Sequence, residues 1–172
     1  MLGEDRDIRP LTANDVEPYK TLRLLAISDS PSAVWPTADE EAQRTPAEIR
    51  ARIVQTPTQI VFGAFSGPRL IGIAGLRRES LIQVAHKANL WGVFVHPAFR
   101  KDGVARQLFS RIREYAEETG VLQIHLCVNA ENVRAKNLYL SIGFATYGLE
   151  HRAMRVDGRY YDEEHMWLRL GE

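Results

Sequence analysis

A short loop containing a glycine joins an apolar segment to an amphipathic helix in the middle of the chain. The first amides of a helix have no partner within the helix and lie at the positive end of its dipole, so they attract anions. Gly103 leaves no side chain between these amides and a phosphate, and Arg100 adds a positive charge. The loop therefore predicts a phosphate site, although the same residues are compatible with a glycine that merely starts a helix. It consists of Arg100, Lys101, Asp102, Gly103, Val104 and Ala105.

Two common phosphate-binding patterns are absent from the chain. The Walker pattern requires a Gly-Lys-Ser/Thr ending, and the dinucleotide-binding fingerprint requires Gly-x-Gly-x-x-Gly. Neither occurs in the sequence. The ligand predicted for the loop is therefore a small anion of another class.

Composition and charge exclude several classes of protein. The length of 172 residues suits a single domain spanning 1–172, and 22 basic residues balance 22 acidic ones, which gives no support for nucleic-acid binding. No run of 18 apolar residues is present, and Met1–Pro10 is charged, so we expect no membrane span, no signal peptide and a soluble cytoplasmic protein. The single cysteine and the spacing of the histidines predict no disulfide and no metal site.

The periodicity of apolar residues predicts one α/β domain with a mixed, mostly antiparallel sheet of about seven strands and about four helices. Ser28–Pro46 is expected to be a loop, and Glu79–His86 a loop or the start of a strand. The predicted helices are Thr12 or Asn14 to Ile27, Pro46–Gln55, Val104–Thr119 and Asn132–Ser141. The predicted strands are Ile8–Pro10, Gln59–Phe65, Leu70–Arg77, Ala88–Val95, Val121–Val128, Phe144–Glu150 and Tyr160–Leu170.

Two motifs resemble those of the GCN5-related N-acetyltransferases, the GNAT family. The loop Arg100-Lys-Asp-Gly-Val-Ala105 is similar to that family's Arg/Gln-x-x-Gly-x-Gly/Ala loop. Asn132-Val-Arg-Ala-Lys-Asn-Leu-Tyr139-Leu-Ser-Ile-Gly-Phe144 resembles its Asn-x-x-Ala-x-x-Leu-Tyr-x-x-x-Gly-Phe signature. The motif evidence covers Leu90–Phe144, and the predicted element order matches over nearly the whole chain. The resemblance implies a GNAT-like fold whose fourth and fifth strands splay apart.

The resemblance also implies acetyl transfer from acetyl-CoA to an amine, directly and within a ternary complex. By the same resemblance, the backbone of Phe94 and Val95 contacts pantetheine and the thioester carbonyl, the amides from Lys101 to Ala105 hold the pyrophosphate, and Asn132 contacts CoA. Tyr139 matches the general acid that protonates the departing thiolate, and a phenol of pKa about 10 is protonated at neutral pH. The alternative interpretation is that Tyr139 only packs beside its apolar neighbours.

The general base is the least determined part of the predicted site. Many family members place a glutamate in or near the fourth strand, but Asn89-Leu-Trp-Gly-Val93 contains no carboxylate. The candidates elsewhere are Glu79, Glu150, His86 and His125, and an α-amine substrate or a water relay would remove the need for a strong base. Cys127 lies on an apolar strand and is interpreted as a buried structural thiol.

The predicted function is therefore acetyl-CoA-dependent N-acetylation of a small-molecule amine or a protein N-terminus. A non-catalytic acyl-CoA-binding or regulatory module and a transferase of longer acyl groups are the alternatives. Trp35, Trp91, the loop Ser28–Thr45 and the final hairpin are candidates to shape the acceptor pocket, or alternatively to form a dimer contact. A homodimer is one expectation for the assembly. The identity of the acceptor does not follow from the sequence.

Overall fold

The structure is a computed structural model that describes residues 6–172, so predictions concerning Met1–Asp5 lie outside the described residues. Within this range, seven strands form one sheet in the order β1-β2-β3-β4-β5-β7-β6. Every neighbouring pair is antiparallel except β4 and β5. The strands are β1 (Asp7–Pro10), β2 (Gln59–Ser66), β3 (Arg69–Arg78), β4 (Lys87–Val95), β5 (Gln123–Asn129), β6 (Ala145–Val156) and β7 (Arg159–Arg169).

Five α-helices accompany the sheet in the described range: α1 (Val16–Asp29), α2 (Ala38–Ala42), α3 (Pro46–Ile53), α4 (Val104–Glu118) and α5 (Val133–Ile142). Local sequence sets where several of them begin. The Thr45 hydroxyl accepts the Glu48 amide, and the Glu48 carboxylate accepts the Thr45 amide, which closes a capping box around Pro46 at the first position of α3.

The predicted fold class, a mixed α/β sheet with one parallel pair, is confirmed, and two details of the prediction are wrong. The segment Ser28–Pro46 is not all loop, because Thr37 and Glu40 form a second capping box that starts α2. The capping pattern was present in the sequence, but five helical residues are too few to show an apolar period. Strand β6 also continues beyond Glu150 to Val156, because β7 pairs with it over almost its whole length.

The fourth and fifth strands splay apart after a short parallel pairing. Their register pairs run only from Lys87 opposite Gln123 to Asn89 opposite His125. Beyond this point β4 carries one extra residue relative to β3, since Gly75 lies opposite Trp91 whereas Ile73 lies opposite Phe94. Such a bulge bends and twists a strand. Gly92, at φ +63°, supplies the left-handed backbone conformation within the bulge.

Two hydrophobic clusters hold the sheet between its helices. On one face, the buried residues of α4, among them Leu108 and Ile112, pack against the central strands together with Phe144. On the other face, Tyr19 of α1 and Ile49 and Ile53 of α3 pack against β2 and β3. The central strands are therefore fixed on both faces, and the gap between β4 and β5 is a cleft in a rigid frame. None of the helices in residues 6–172 has the length and apolar content that crossing a membrane requires.

Candidate active site

A cleft of about 1120 Å³ follows the gap between β4 and β5. One end is formed by the Arg100–Ala105 loop, and the other by the segment after α1 and the face of β5 and β7. All but one of the residues predicted for the site line this cleft, and the exception is Asp102. Those on the cleft wall are Phe94, Val95, Arg100, Lys101, Gly103, Val104, Ala105, Asn132 and Tyr139.

The loop before α4 presents unpaired amides to the cleft. Among residues 6–172, the backbone N–H groups of Lys101, Asp102 and Gly103 make no hydrogen bond, and the first bond spanning the start of α4 runs from Gln107 N to Gly103 O at 3.0 Å. Gly103 adopts φ +79° at the N-cap and has no side chain to cap the helix. Consecutive free amides at a helix N-terminus form a concave donor array, which suits a pyrophosphate.

Two charged side chains of this loop, those of Arg100 and Asp102, form ion pairs with other parts of the chain. The Arg100 guanidinium forms an ion pair of 2.6 Å with Asp29 at the end of α1, and its Nε donates to Val95 O at 3.2 Å. The pKa of Asp29 is lowered, chiefly by this contact. Asp102 pairs with Arg6 at 3.0 Å. Arg100 therefore fixes the loop against α1 and β4 while lining the cleft.

Strand β4 exposes one edge of its backbone to the cleft. His96 N donates to Ile71 O of β3 at 2.7 Å. Because successive amides of a strand point to opposite edges, the Val95 N–H faces away from β3, into the gap. The same alternation directs the Phe94 amide towards its partner Ile73, so Phe94 contributes to the cleft with its ring, over which the Arg100 guanidinium lies at 5.5 Å.

Tyr139 lies on α5, on the opposite wall of the gap. Its ring packs edge-to-face on Phe144 at 5.7 Å, and among residues 6–172 its hydroxyl has no hydrogen-bond partner. Its neighbours are apolar, including Leu90, Val93 and Phe109. Burial among them raises the pKa of Tyr139 to about 12. The phenol is therefore protonated throughout the neutral range, and it is a proton donor without an acceptor.

Asn132 lies at the start of α5, about two turns before Tyr139. Its Oδ1 accepts the Ala135 amide at 3.2 Å, which caps the helix. The Nδ2 group has no partner within the described chain and belongs to the cleft wall. One end of this side chain therefore stabilises the helix, and the other is free to donate to a ligand.

The structure separates the four candidate bases. Glu79 lies on the cleft wall and accepts from Asn89 at 3.2 Å. Glu150 is exposed on β6 and contacts His165 at 2.9 Å. His125 lies against Gln123 and Tyr147, and burial lowers its pKa, while no described contact brings His86 to the cleft. Within the described part of the chain, Glu79 is thus the only one of the four candidate bases that lines the cleft.

A carboxylate that the sequence reasoning missed also lines the cleft. Glu163 lies on β7 opposite Asn129 of β5, and only 5% of it is exposed. Its Oε1 accepts the Trp35 indole N–H at 2.8 Å, whereas its Oε2 is buried and has no partner in residues 6–172. The signal was present in the strand predicted for Tyr160–Leu170. Its alternation places Glu163 on the same face as His165 and Trp167.

Cys127 is not the buried structural thiol that its apolar strand suggested. The side chain is exposed and lies on the cleft wall, with its Sγ 3.5 Å from His165 Nδ1. The residue points to the face of β5 opposite α4, because Leu126 and Val128 occupy the face that packs on α4. Desolvation and nearby carboxylates raise the pKa of the thiol, so it is not an activated nucleophile.

Arginines and tryptophans also line the cleft. Trp35 and Trp91 both line it, and the guanidinium of Arg52 lies 5.2 Å from the Trp91 ring. Arg23 is buried and pairs with Glu41 at 3.6 Å. This part of the wall is therefore rigid and aromatic, and the guanidinium of Arg23 pairs with the buried carboxylate of Glu41.

Comparisons with known proteins identify acetyltransferases that are similar to this chain. Residues 8–167 match the model of the acetyltransferase (GNAT) domain. N-alpha-acetyltransferase RimI of Mycobacterium tuberculosis (strain ATCC 25618 / H37Rv) is 33% identical over 107 residues, covering 62% of this chain and 65% of that protein. An aminoglycoside N(6')-acetyltransferase type 1 from Salmonella enteritidis is 25% identical over 80% of this chain and 90% of its own length. A mycothiol acetyltransferase from Brachybacterium faecium is 25% identical, but only 39% of its length is spanned.

Solved structures share the fold over nearly the whole chain. A GNAT-family acetyltransferase from Streptococcus pneumoniae superposes with a TM-score of 0.86 at 20% identity, covering 96% of this chain and 99% of that one. The structure of yncA from Salmonella typhimurium, solved with acetyl-CoA, superposes with a TM-score of 0.82 at 22% identity. The superposition covers 98% of this chain and 96% of that one. The family model spans almost the entire chain, and both sequence motifs line one cleft. The chain therefore belongs to the GNAT acetyltransferase family.

Proposed function

We propose that the chain is a single-domain N-acetyltransferase that moves an acetyl group from acetyl-CoA to a primary amine. The observation that carries the proposal is the single cleft, which joins a row of free amides, an open strand edge and a protonated phenol. An acyl carrier matches these three features in order. Its pyrophosphate matches the free amides, its extended amide-containing arm matches the strand edge, and its departing thiolate matches the phenol. The names of the relatives, which include an N-alpha-acetyltransferase and an aminoglycoside acetyltransferase, support a primary amine as acceptor.

In this proposal the donor is held mainly by backbone groups. The amides of Lys101 to Ala105 bind the pyrophosphate, and Asn132 donates to the carrier through Nδ2. The pantetheine arm occupies the gap between β4 and β5. There it pairs with the free edge of β4 in the place of a neighbouring strand. The Val95 N–H then polarises the thioester carbonyl. A fixed amide suits this role because it needs no reorganisation as charge develops on the oxygen.

The transfer step balances with one proton donor on the chain. The neutral amine attacks the carbonyl carbon, a C–N bond forms, and the C–S bond breaks. After the attack the nitrogen is positively charged and releases one proton to solvent. The Tyr139 hydroxyl gives its proton to the departing sulfur, and the phenolate recovers a proton from solvent. No covalent enzyme intermediate is required, so the raised pKa of Cys127 is no obstacle.

Two measurements test the proposal. Acetyl-CoA should raise the melting temperature, because a ligand at a hundred times its Kd stabilises the folded state by about 2.7 kcal/mol. Pantetheine, which lacks the pyrophosphate, serves as the control and should stabilise the protein much less. Absence of any shift with acetyl-CoA at millimolar concentration would refute the donor assignment.

The second measurement is thiol release from acetyl-CoA in the presence of four primary amines: an aminoglycoside, a polyamine, an amino acid and a peptide with a free N-terminal alanine. Turnover with at least one of these classes is the expected result. Acetyl-CoA binding without turnover would instead support the non-catalytic acyl-CoA-binding alternative. A faster rate with propionyl- or succinyl-CoA would indicate a longer acyl group.

A further inference from the structure

The unpaired oxygen of Glu163 is an unexplained polar group on the cleft wall. A buried carboxylate oxygen without a hydrogen-bond partner is unfavourable, so such a group needs a donor from water or a ligand. Among residues 6–172, no lysine, arginine or histidine nitrogen lies within 4.0 Å of Glu163, and its single recorded partner is the Trp35 indole. The Glu163 side chain thus lines the cleft with one oxygen still to be satisfied.

The neighbours of Glu163 do not supply that partner. Asn129, directly opposite on β5, uses its Nδ2 to donate to Ser32 O at 2.9 Å and its Oδ1 to accept the Glu131 amide. The titratable groups beside the carboxylate are Cys127 on β5, Glu150 on β6, and Tyr161 and His165 on β7, while residues 30–36 of the overlying segment contain none. His165 is occupied by Glu150 and Cys127.

The position of Glu163 relates it to the reacting centre. It lies one strand away from the splayed part of β5 and shares the cleft with the free edge of β4 and with Tyr139. Trp35 holds one oxygen and thereby fixes the direction of the carboxylate. We propose that Glu163 binds the ammonium group of the acceptor through its unpaired Oε2 and receives the proton that the amine releases. The inference rests on the proposed function, since it assigns the acceptor side of that same site.

The proton balance completes the transfer described above. An ammonium N–H donates to Oε2, the proton passes to the carboxylate, directly or through one water, and the free lone pair attacks the thioester. The carboxylic acid then returns its proton to solvent. The acceptor class that this geometry favours is a primary amine that is cationic at neutral pH.

Binding of a small cation tests the proposal without turnover. Benzylammonium is titrated into the protein loaded with CoA, and the indole N–H signals of the three tryptophans are followed by ¹⁵N NMR. Trp35→Phe assigns the signal of the indole that contacts Glu163. The Trp35 signal should shift and saturate with benzylammonium, and benzyl alcohol, which has the same shape without the charge, should move it much less.

Glu163→Gln provides the decisive variant, because glutamine still accepts from the Trp35 indole but carries no charge. Its affinity for benzylammonium should fall at least tenfold. The matched control is Glu114→Gln, which makes the same change on an exposed side chain of α4 outside the cleft and should bind benzylammonium as the wild type does. Equal affinity of the wild type and Glu163→Gln for benzylammonium would overturn the proposal, whatever the outcome of the turnover assay.

Kinetics separate proton transfer from a structural role. With the fastest amine of the four-class panel, Glu163→Gln should lower kcat/KM by 100- to 10,000-fold at pH 7. The loss should shrink about tenfold for each pH unit up to the pKa of the amine, because only the neutral amine then reacts. The melting shift with acetyl-CoA should be unchanged. If Trp35→Phe lowers kcat/KM as much as Glu163→Gln and neither deficit depends on pH, Glu163 only anchors the loop and the proposal fails.

Discussion

Substitution of Tyr139 by phenylalanine tests the chemistry of the site most directly. The ring packs on Phe144, and the hydroxyl has no partner in residues 6–172, so phenylalanine keeps the packing and removes only the proton donor. Loss of a positioned general acid lowers rates by about 100- to 10,000-fold, which corresponds to roughly 3–5 kcal/mol in the barrier. We expect kcat to fall in this range and the Kd of acetyl-CoA to stay within about twofold.

The pH dependence gives the prediction a second, independent part. Because burial raises the pKa of Tyr139 to about 12, the acid remains protonated across the working range and should cause no falling limb of kcat below about pH 11. In the unfolded chain the phenol ionises near pH 10, before it does so in the folded protein. Folding stability should therefore fall as pH rises above about 10, and Tyr139→Phe should lessen that fall.

The assay compares single-turnover thiol release with equilibrium binding of acetyl-CoA. Tyr115→Phe is the matched control, since Tyr115 also packs edge-to-face on a phenylalanine, Phe62, at 6.3 Å, but lies on α4 outside the cleft. A loss of less than about fivefold in Tyr139→Phe, or an equal loss in both variants, would refute the assignment of Tyr139 as general acid. It would leave the packing interpretation as the correct one.

Two further predictions concern the stability of the frame and the donor site. Glu41 is fully buried and is the partner of Arg23 at 3.6 Å, so Glu41→Gln should lower the free energy of unfolding by about 3–5 kcal/mol in urea titrations, whereas Asp39→Asn, exposed on the same helix, should change it by less than about 0.5 kcal/mol. An equal effect of the two changes would contradict the buried ion pair. Gly103→Ala meets open space but forces alanine to φ +79°, so it should cost about 1–2 kcal/mol and weaken acetyl-CoA more than pantetheine; equal weakening of both ligands would argue against pyrophosphate binding at the loop.

Local chemistry along the chain was sufficient to single out the residues proposed for the donor side of the site. The strand, glycine and helix around Gly103 are adjacent in sequence, and helix N-termini bind anions wherever they occur in a fold. Asn132 and Tyr139 lie seven positions apart on one helix, so their common wall follows from helical geometry. The pairing of the two strands in each hairpin was also predictable from the sequence, because short connections join neighbouring strands.

The residues proposed for the acceptor side are brought together by contacts between distant parts of the chain. Glu163, Trp35 and Asn129 come from β7, from the segment after α1 and from β5, and nothing local to any of them indicates that they meet. Similarly, an apolar strand did not reveal that Cys127 faces the open side of the sheet. Alternation along a strand assigns residues to two faces, but it does not say which face a helix will cover. The packing of α4 on Leu126 and Val128 decided that question for β5. The insertion of β7 between β5 and β6 then placed Glu163 opposite Asn129, and this strand order is determined by packing of the whole sheet rather than by any one segment.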